Sequence, residues 1–420
     1  MHFVVSTIGS AGDVFPFLGL ALELRRRGHD ITFATNGHFE GLIRSYGLQF
    51  EALGTEDDYQ ASIRNPDLWI PRKAFPHVFR SFAPILKRQY EIFAAAGPQS
   101  VSIVNVFGFG ALLAQEKLGI PAITVHLQPS VLWSKVEPPV LPGLAGPRWF
   151  KSLMYALGEK FVIDRVVCPF LNDWRRELGL DPVRRITRWW NSPAGIVCMF
   201  PDWFAPVQPD WPANLVQTDF PLWNQGSNEP LSDDLKRFLD SGSPPIVFTP
   251  GTANIHAQPF FQAALEACRQ LNRRAIFLTQ HPEQIPGSLP ASVRFEKYVP
   301  LDLLLPRASA FVHHGGIGST SQGLLAGVPQ VLMPLAHDQF DNAERVRRIG
   351  TGLAVPATRF NARSLVSALE QLLSSAEVTT ACRSIAAKLQ RRDGLQRSAE
   401  AILNRLATIH EPHAPVAAIT

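Results

Sequence analysis

The chain has 420 residues, 46% of them hydrophobic and 18% charged, enough apolar surface for two or three domains with their own cores; a single small module and a disordered chain are both excluded. Forty Lys and Arg against thirty-six Asp and Glu leave a net charge of +4 with no run of five like charges, so nucleic acid is not an implied partner. The opening MHFVVSTIGSAGD lacks a basic leader and its apolar run stops at Gly9, which reads as a first strand rather than a signal peptide. No apolar stretch reaches the ~18 residues of a membrane span, and a cytoplasmic protein is expected. Cys168, Cys198, Cys268 and Cys382 lie far apart without a C-x-x-C pair, which fits reduced core thiols.

In chain order, His2 to Thr7 reads as a strand, Gly9-Ser10-Ala11-Gly12 as a turn, Phe17 to Arg27 as a helix and Asp30 to Ala34 as a second strand. Gly28 supplies the left-handed residue that ends such a helix. This is a βαβ unit, and strands at Ser102 to Val106 and Ala122 to Val125 around a helical stretch Gly110 to Leu118 extend it into a parallel sheet. From Pro129 to Trp223 the pattern breaks into proline and aromatic clusters, which either pack irregular loops or line an apolar pocket. Residues 224–245 read as an interdomain linker holding one short helix capped by Ser232. A second α/β domain then alternates helices with strands Ile246 to Thr249, Ala275 to Leu278, Ala310 to His313 and Gln330 to Met333. Beyond Phe360 the pattern is helical, with a frayed tail past about His410. The expected domains are 1–223, 246–385 and a helical segment 386–420 that packs back toward the first.

The strongest local signal is His313-His314-Gly315-Gly316-Ile317-Gly318-Ser319-Thr320-Ser321, between an apolar strand and a helical stretch. Glycines let the backbone come close, and a helix N-terminus offers free N–H groups to an anion, so a phosphate or diphosphate fits. His314 can donate to a phosphate oxygen from one ring nitrogen while the scaffold holds the other. Further on, an apolar strand delivers Asp338 and Gln339 at its C-terminal end, where open parallel sheets bind ligands, and that pair suits vicinal sugar hydroxyls. No D-x-D triplet occurs, so the usual divalent-metal clamp for a diphosphate is missing and no metal or other cofactor is expected.

The segment Tyr298 to Gln339 resembles the donor-binding signature of inverting, nucleotide-sugar-dependent glycosyltransferases, a family that includes plant secondary-product glucosyltransferases and bacterial antibiotic glycosyltransferases. The likeness runs over about residues 1 to 405, and Gly9 to Asp13, Trp203-Phe204-Ala205-Pro206, Asp210-Trp211-Pro212 and His337 to Ala343 look closest to rhamnolipid-type rhamnosyltransferases. The resemblance implies the GT-B fold: an α/β protein of two Rossmann-like, doubly wound parallel-sheet domains facing across a cleft. It implies base stacking on Tyr298 with the Val299 backbone reading the base edge, diphosphate contacts at His314, Gly316, Gly318 and Ser319, and phosphate or sugar contacts at Gly251 and Thr252. Asp338 and Gln339 match its sugar-binding pair. Gln322 falls where plant members carry a ribose-binding Glu, a departure. Asp13 stands where plant members place a catalytic His, and a carboxylate there has to act as general base, although Asp13 as N-cap of the following helix is the plain alternative.

The acceptor is expected to be lipophilic, in the N-terminal domain against the loops from Gln128 to Trp149, with Gly12, His126, Gln128, Val131, Leu132 and Trp133 at the site. The function implied is transfer of rhamnose or glucose from a dTDP- or UDP-sugar to a hydroxyl of an acceptor such as a hydroxy fatty acid lipid, sterol or polyketide, with peripheral association at the inner face of the membrane compatible with it. Three other functions share the layout. A nicotinamide-dependent oxidoreductase is opposed by Ile8-Gly9-Ser10-Ala11-Gly12, which is not G-x-G-x-x-G, and by a second strand ending in Thr35-Asn36 without an acidic ribose ligand. A sugar-nucleotide epimerase and a non-catalytic lipid- or glycan-binding relative are opposed by Asp13 facing an intact donor signature.

Overall fold

The computed structural model describes residues 1–410 other than Pro142, Ala145 and Asn228, and the tail expected beyond His410 lies outside the described residues. The first sheet is built from β1 (His2–Ser6), β2 (Asp30–Thr35), β3 (Gln49–Ala52), β4 (Ser100–Val104), β5 (Ala122–His126), β6 (Ile196–Cys198) and β7 (Leu215–Gln217). The second comprises β8 (Ile246–Thr249), β9 (Ala275–Leu278), β10 (Val293–Glu296), β11 (Ala310–His313), β12 (Gln330–Leu332) and β13 (Gly352–Ala354). Every pairing is parallel, in the spatial orders β3-β2-β1-β4-β5-β6-β7 and β10-β9-β8-β11-β12-β13. Both are doubly wound, and the winding reverses beside β1 and β4 in one domain and beside β8 and β11 in the other.

The central strands are apolar on both faces because helices cover both. Phe3, Val4 and Val5 of β1 and Val247 and Phe248 of β8 are fully buried. The first helix runs Ala11–Arg26, a turn and a half earlier than its apolar spacing suggests: Ser10 is its N-cap, Asp13 lies in its first turn, and Pro16 is inside it. Gly28 ends it at φ +86° as expected. Ser232 caps the helix Asp233–Asp240 through a hydrogen bond from the Leu235 N–H at 3.3 Å.

The aromatic middle is more regular than its prolines imply. Helix Arg148–Gly158 passes through a π-helical turn, Glu159–Ile163, into helix Asp164–Glu177, which carries Pro169 inside it. Likewise Pro71–Ala96 is one helix of 26 residues despite Pro76 and Pro84. Proline at these positions erases the local helical signal, and burial against the sheet restores the helix.

The last helix, Gly394–His410, crosses to the first domain, where Ala399, Ile402 and Leu406 join the core that contains Phe17, Leu20 and Phe200. Asp219, at the end of the first domain, is 1% exposed and accepts from Arg392 at 3.0 Å and from Arg397. Thr218 Oγ1 meets Ser398 Oγ at 2.7 Å beside it. Removing the carboxylate leaves two guanidinium groups without the acceptor that tethers the crossing. Asp219→Ala is therefore expected to lower the free energy of unfolding by about 1.5–3 kcal/mol, read as a lower urea midpoint with an unchanged m-value; an unchanged midpoint would mean that apolar packing alone carries the crossing.

Candidate active site

At the end of β1 the chain turns through Gly9, at φ +147°, into the first helix. Asp13 folds back over this turn: its Oδ2 accepts from the Ser10 backbone N–H at 2.9 Å and from the Ser10 hydroxyl at 3.3 Å, while Oδ1 takes no hydrogen bond among the described residues. A Cβ on Gly9 would lie 2.2 Å from Asp13 Oδ2, so the carboxylate sits here only because residue 9 has no side chain. Asp13 is thus not the N-cap; it caps the N-cap's own N–H and keeps one oxygen free. Asn105, after β4, holds the turn by donating to the Ile8 carbonyl at 2.9 Å and to Thr7 Oγ1 at 3.3 Å. Burial raises the Asp13 carboxyl to about 6 against the lowering effect of its Ser10 hydrogen bonds.

Across the cleft, β11 ends in a turn fixed by His313. The Gly315 N–H donates to His313 Nδ1 at 3.1 Å, which leaves Nε2 protonated to donate to Gln330 Oε1 at 2.8 Å. Gly315 adopts φ +93°, and Gly316 is the N-cap of helix Ile317–Ala326, which has no acidic residue in its first turn and whose first N–H, that of Ile317, is taken by the Asp338 carboxylate. The next residues, Gly318 and Ser319, line the cavity at the positive end of the helix dipole. His314 lies between two glycines: a Cβ on Gly251 or Gly316 would come within 2.7 and 2.5 Å of its ring. The scaffold grips the ring by shape rather than by the expected hydrogen bond, since neither nitrogen has a partner among the described residues and Nδ1 is buried. Burial, with the nearby His337, lowers His314 to about 4, so it is neutral at pH 7.

Asp338 precedes helix Gln339–Arg348 and accepts from Asn342 Nδ2 at 2.6 Å. Burial raises its carboxyl to about 7, the Asn342 hydrogen bond lowers it, and the charge of Asp13 across the cleft adds to the rise. Gln339 spends its Oε1 on the Leu335 and Ala336 N–H groups, at 2.8 and 3.2 Å, which leaves only its amide N–H groups for a ligand. Gln322 carries a buried Oε1 with no partner among the described residues. The Tyr298 hydroxyl donates to the Gln225 carbonyl of the linker at 2.9 Å.

All these groups line one cavity of about 1060 Å³ between the domains: Asp13 and Gly12 on one wall, Gly251, Thr252, Tyr298, Val299, His314, Gly316, Gly318, Ser319, Gln322, Asp338 and Gln339 on the other. Lys297 is the only lysine or arginine among the described residues that line it. Gln128, Val131 and Trp133 line its extension into the first domain, but two expected acceptor residues do not reach it. His126 is buried under the sheet with Nε2 on Asn191 Oδ1 at 2.7 Å, because β5 ends in a structural position, and Leu132 packs into the core with Phe200 and Phe204. Part of the apolar wall comes instead from helices 56–64 and 71–96, through Tyr59, Ile63, Phe75, Val78 and Phe82, none of them expected from the sequence. His337, at φ +59°, and Trp69 meet edge-on across the domains with ring centroids 6.1 Å apart.

Two facing doubly wound domains with a glycine-lined helix terminus in one and a part-buried carboxylate in the other define a GT-B glycosyltransferase. Residues 3–133 match the glycosyltransferase family 28 N-terminal domain, and residues 265–397 match the erythromycin biosynthesis protein CIII-like C-terminal domain. The chain is 26% identical over 431 residues to a sterol 3-beta-glucosyltransferase of Arabidopsis thaliana, covering 97% of this chain and 68% of that one. It is 26% identical over 434 residues to O-mycaminosyltylonolide 6-deoxyallosyltransferase of Streptomyces fradiae, covering 99% and 100%. The crystal structure of the glycosyltransferase VinC in complex with dTDP aligns with a TM-score of 0.71 at 18% identity, over 97% and 100% of the two chains. The chain is a glycosyltransferase of GT-B fold that uses a nucleotide-sugar donor.

Because His314 is held by the absence of side chains around it, His314→Ala and Gly316→Ala should have the same consequence. Each is expected to weaken UDP or dTDP binding by about 10-fold to 100-fold, the worth of one charge-assisted hydrogen bond. Titration calorimetry checks this, and unchanged affinity in both variants would remove His314 from the diphosphate site.

Proposed function

We propose that the enzyme transfers a hexose, rhamnose or glucose, from a dTDP- or UDP-sugar to a hydroxyl of a lipophilic acceptor such as a hydroxy fatty acid lipid, with inversion and with Asp13 as general base. The observation that carries this reading is the free Oδ1 of Asp13, set where the apolar extension of the cavity meets the half lined by the helix terminus. An acceptor lying along Phe75, Phe82 and Phe107 presents its hydroxyl to Asp13, and the sterol named for one relative is a lipophilic alcohol of this kind.

In a single displacement the acceptor oxygen bonds to the anomeric carbon as the bond from that carbon to the diphosphate oxygen breaks on the opposite face. The hydroxyl proton passes to Asp13. A carboxyl at about 6 is a better base for an alcohol than an ordinary aspartate near 3.9, and it is still ionised at neutral pH. The leaving diphosphate meets the N–H groups at Gly318 and Ser319 and the neutral His314, with the helix dipole supplying the positive field. Asp338 and the Gln339 amide take the sugar hydroxyls, Gln322 Oε1 accepts from the ribose, and Tyr298 with the Val299 backbone takes the base.

Asp13→Asn retains the shape and loses the base, so turnover should fall by about 10²–10⁴-fold with donor affinity nearly unchanged. Gly9→Ala pushes the same carboxylate aside and should cost turnover about 10²-fold. Near-normal turnover in Asp13→Asn would reduce Asp13 to a helix-capping residue, and a product that keeps the donor's anomeric configuration would exclude single displacement.

Because a helix terminus provides the charge stabilisation that a D-x-D metal clamp otherwise gives, transfer is expected to proceed without a divalent cation. Full activity after EDTA treatment is the expected result; loss restored by magnesium or manganese would contradict it.

A further inference from the structure

Helix 148–158 and the π-helical turn after it carry an apolar stripe on their outer side. Trp149, Leu153, Leu157 and Phe161 follow one another at intervals of four and are 69, 50, 40 and 55% exposed. Residues four apart on a helix are neighbours, so this is one continuous surface. Four-residue steps drift around an α-helix, and the wider turn at Glu159–Ile163 takes back part of that drift and keeps Phe161 in line. Monomeric proteins rarely leave such a surface to water without a use for it.

The charges around the stripe are of one sign. Arg148, Lys151, Lys160 and Arg165 have no carboxylate partner among the described residues, and Lys160 lies 5.3 Å over the Phe161 ring. The two acids of the segment are buried and face Arg185, Glu159 at 3.5 Å and Asp164 at 3.1 Å. Lys135 lies alongside, its carbonyl accepting from the Ser152 hydroxyl at 2.6 Å.

The inner side of the same helix is the wall of the cavity, through Tyr155, Gly158 and Ile163. Where the two sides meet, Ile70, Leu141 and Val162 are both exposed and cavity-lining, so the stripe runs into the mouth of the apolar extension.

We propose that this face docks on an anionic lipid bilayer, with Trp149, Leu153, Leu157 and Phe161 seated at the acyl boundary and the four cations on headgroup phosphates. A lipophilic acceptor then passes from the bilayer past Ile70, Leu141 and Val162 to Asp13; this last step alone rests on the acceptor proposed above. Charge decides the occupant: a second copy of the chain would bring the same four cations against these, whereas phosphatidylglycerol or phosphatidylserine neutralises them.

The test is flotation of the full chain with vesicles in the absence of donor and acceptor. The chain should float with phosphatidylcholine–phosphatidylglycerol vesicles, much less with phosphatidylcholine alone, and less in high salt. Trp149→Ser/Phe161→Ser and, separately, Arg148→Glu/Lys160→Glu should each cut the bound fraction by about 10-fold, while turnover of a short, water-soluble acceptor stays unchanged. Wild-type chain that does not float with anionic vesicles, or variants that float like wild type, would overturn the proposal. So would a dimer in sedimentation that Trp149→Ser/Phe161→Ser dissociates, because the stripe would then belong to a second copy. The charge pair sits wholly on the surface and keeps the test decisive if the apolar pair fails to fold. Vesicle binding without glycosylation of any lipophilic alcohol would remove the acceptor reading and leave the docking face in place.

Discussion

The loops after β1 and β8 leave their sheets where the winding reverses direction, and the cleft exists because two such points face each other. At a reversal the covering helices diverge to opposite faces, so the strand ends open onto a crevice that no other element fills. One crevice holds Asp13 over Gly9; the other holds His314 between Gly251 and Gly316. In both, the reactive side chain is placed by glycine. The geometry tolerates no Cβ at these positions, and a change at any of them acts on chemistry more directly than on folding.

Burial then sets the protonation states. Asp13 at about 6 and Asp338 at about 7 both resist ionisation, and the two histidines of the turn after β11, His313 and His314, are pressed down to about 3 and about 4. His313 and His314 are therefore neutral at neutral pH, and Lys297 is the one lysine or arginine among the described lining residues. The helix N-terminus at Gly318 and Ser319 is therefore the positive field proposed for the donor diphosphate. The same desolvation raises the Asp13 carboxyl, which suits the general-base role proposed for it.

Much of this was legible in the sequence, for reasons that differ by element. The strands at 246–249, 275–278 and 310–313 were readable to the residue because fully buried parallel strands are short apolar runs bounded by turns. The turn after β11 was readable because adjacent glycines between an apolar strand and a helical stretch mark a strand-to-helix turn. The helices 71–96 and 148–177 were not, since Pro76, Pro84 and Pro169 interrupt their spacing and only tertiary burial makes them helical. With them went Phe75, Val78, Phe82, Tyr155 and Val162 of the apolar wall. The short edge strands β10 and β13, with partly exposed residues, gave no distinct run. His126 and Leu132 were misplaced for a different reason: one ends β5 and the other follows the short turn Pro129–Val131, where ligand-binding residues also occur, yet both side chains are buried away from the cavity, and sequence spacing does not encode side-chain direction.

The central claim is that a desolvated Asp13 does the work of the base, and the pH dependence of kcat/KM with saturating donor tests it most directly. A carboxyl raised above its unfolded value is protonated, and useless as a base, below its folded pKa. The rate should therefore be level above about pH 6 and fall tenfold per unit below it, a limb that disappears in Asp13→Asn. A wild-type profile level down to pH 4.5, or a limb of the same pKa surviving in Asp13→Asn, would contradict the account.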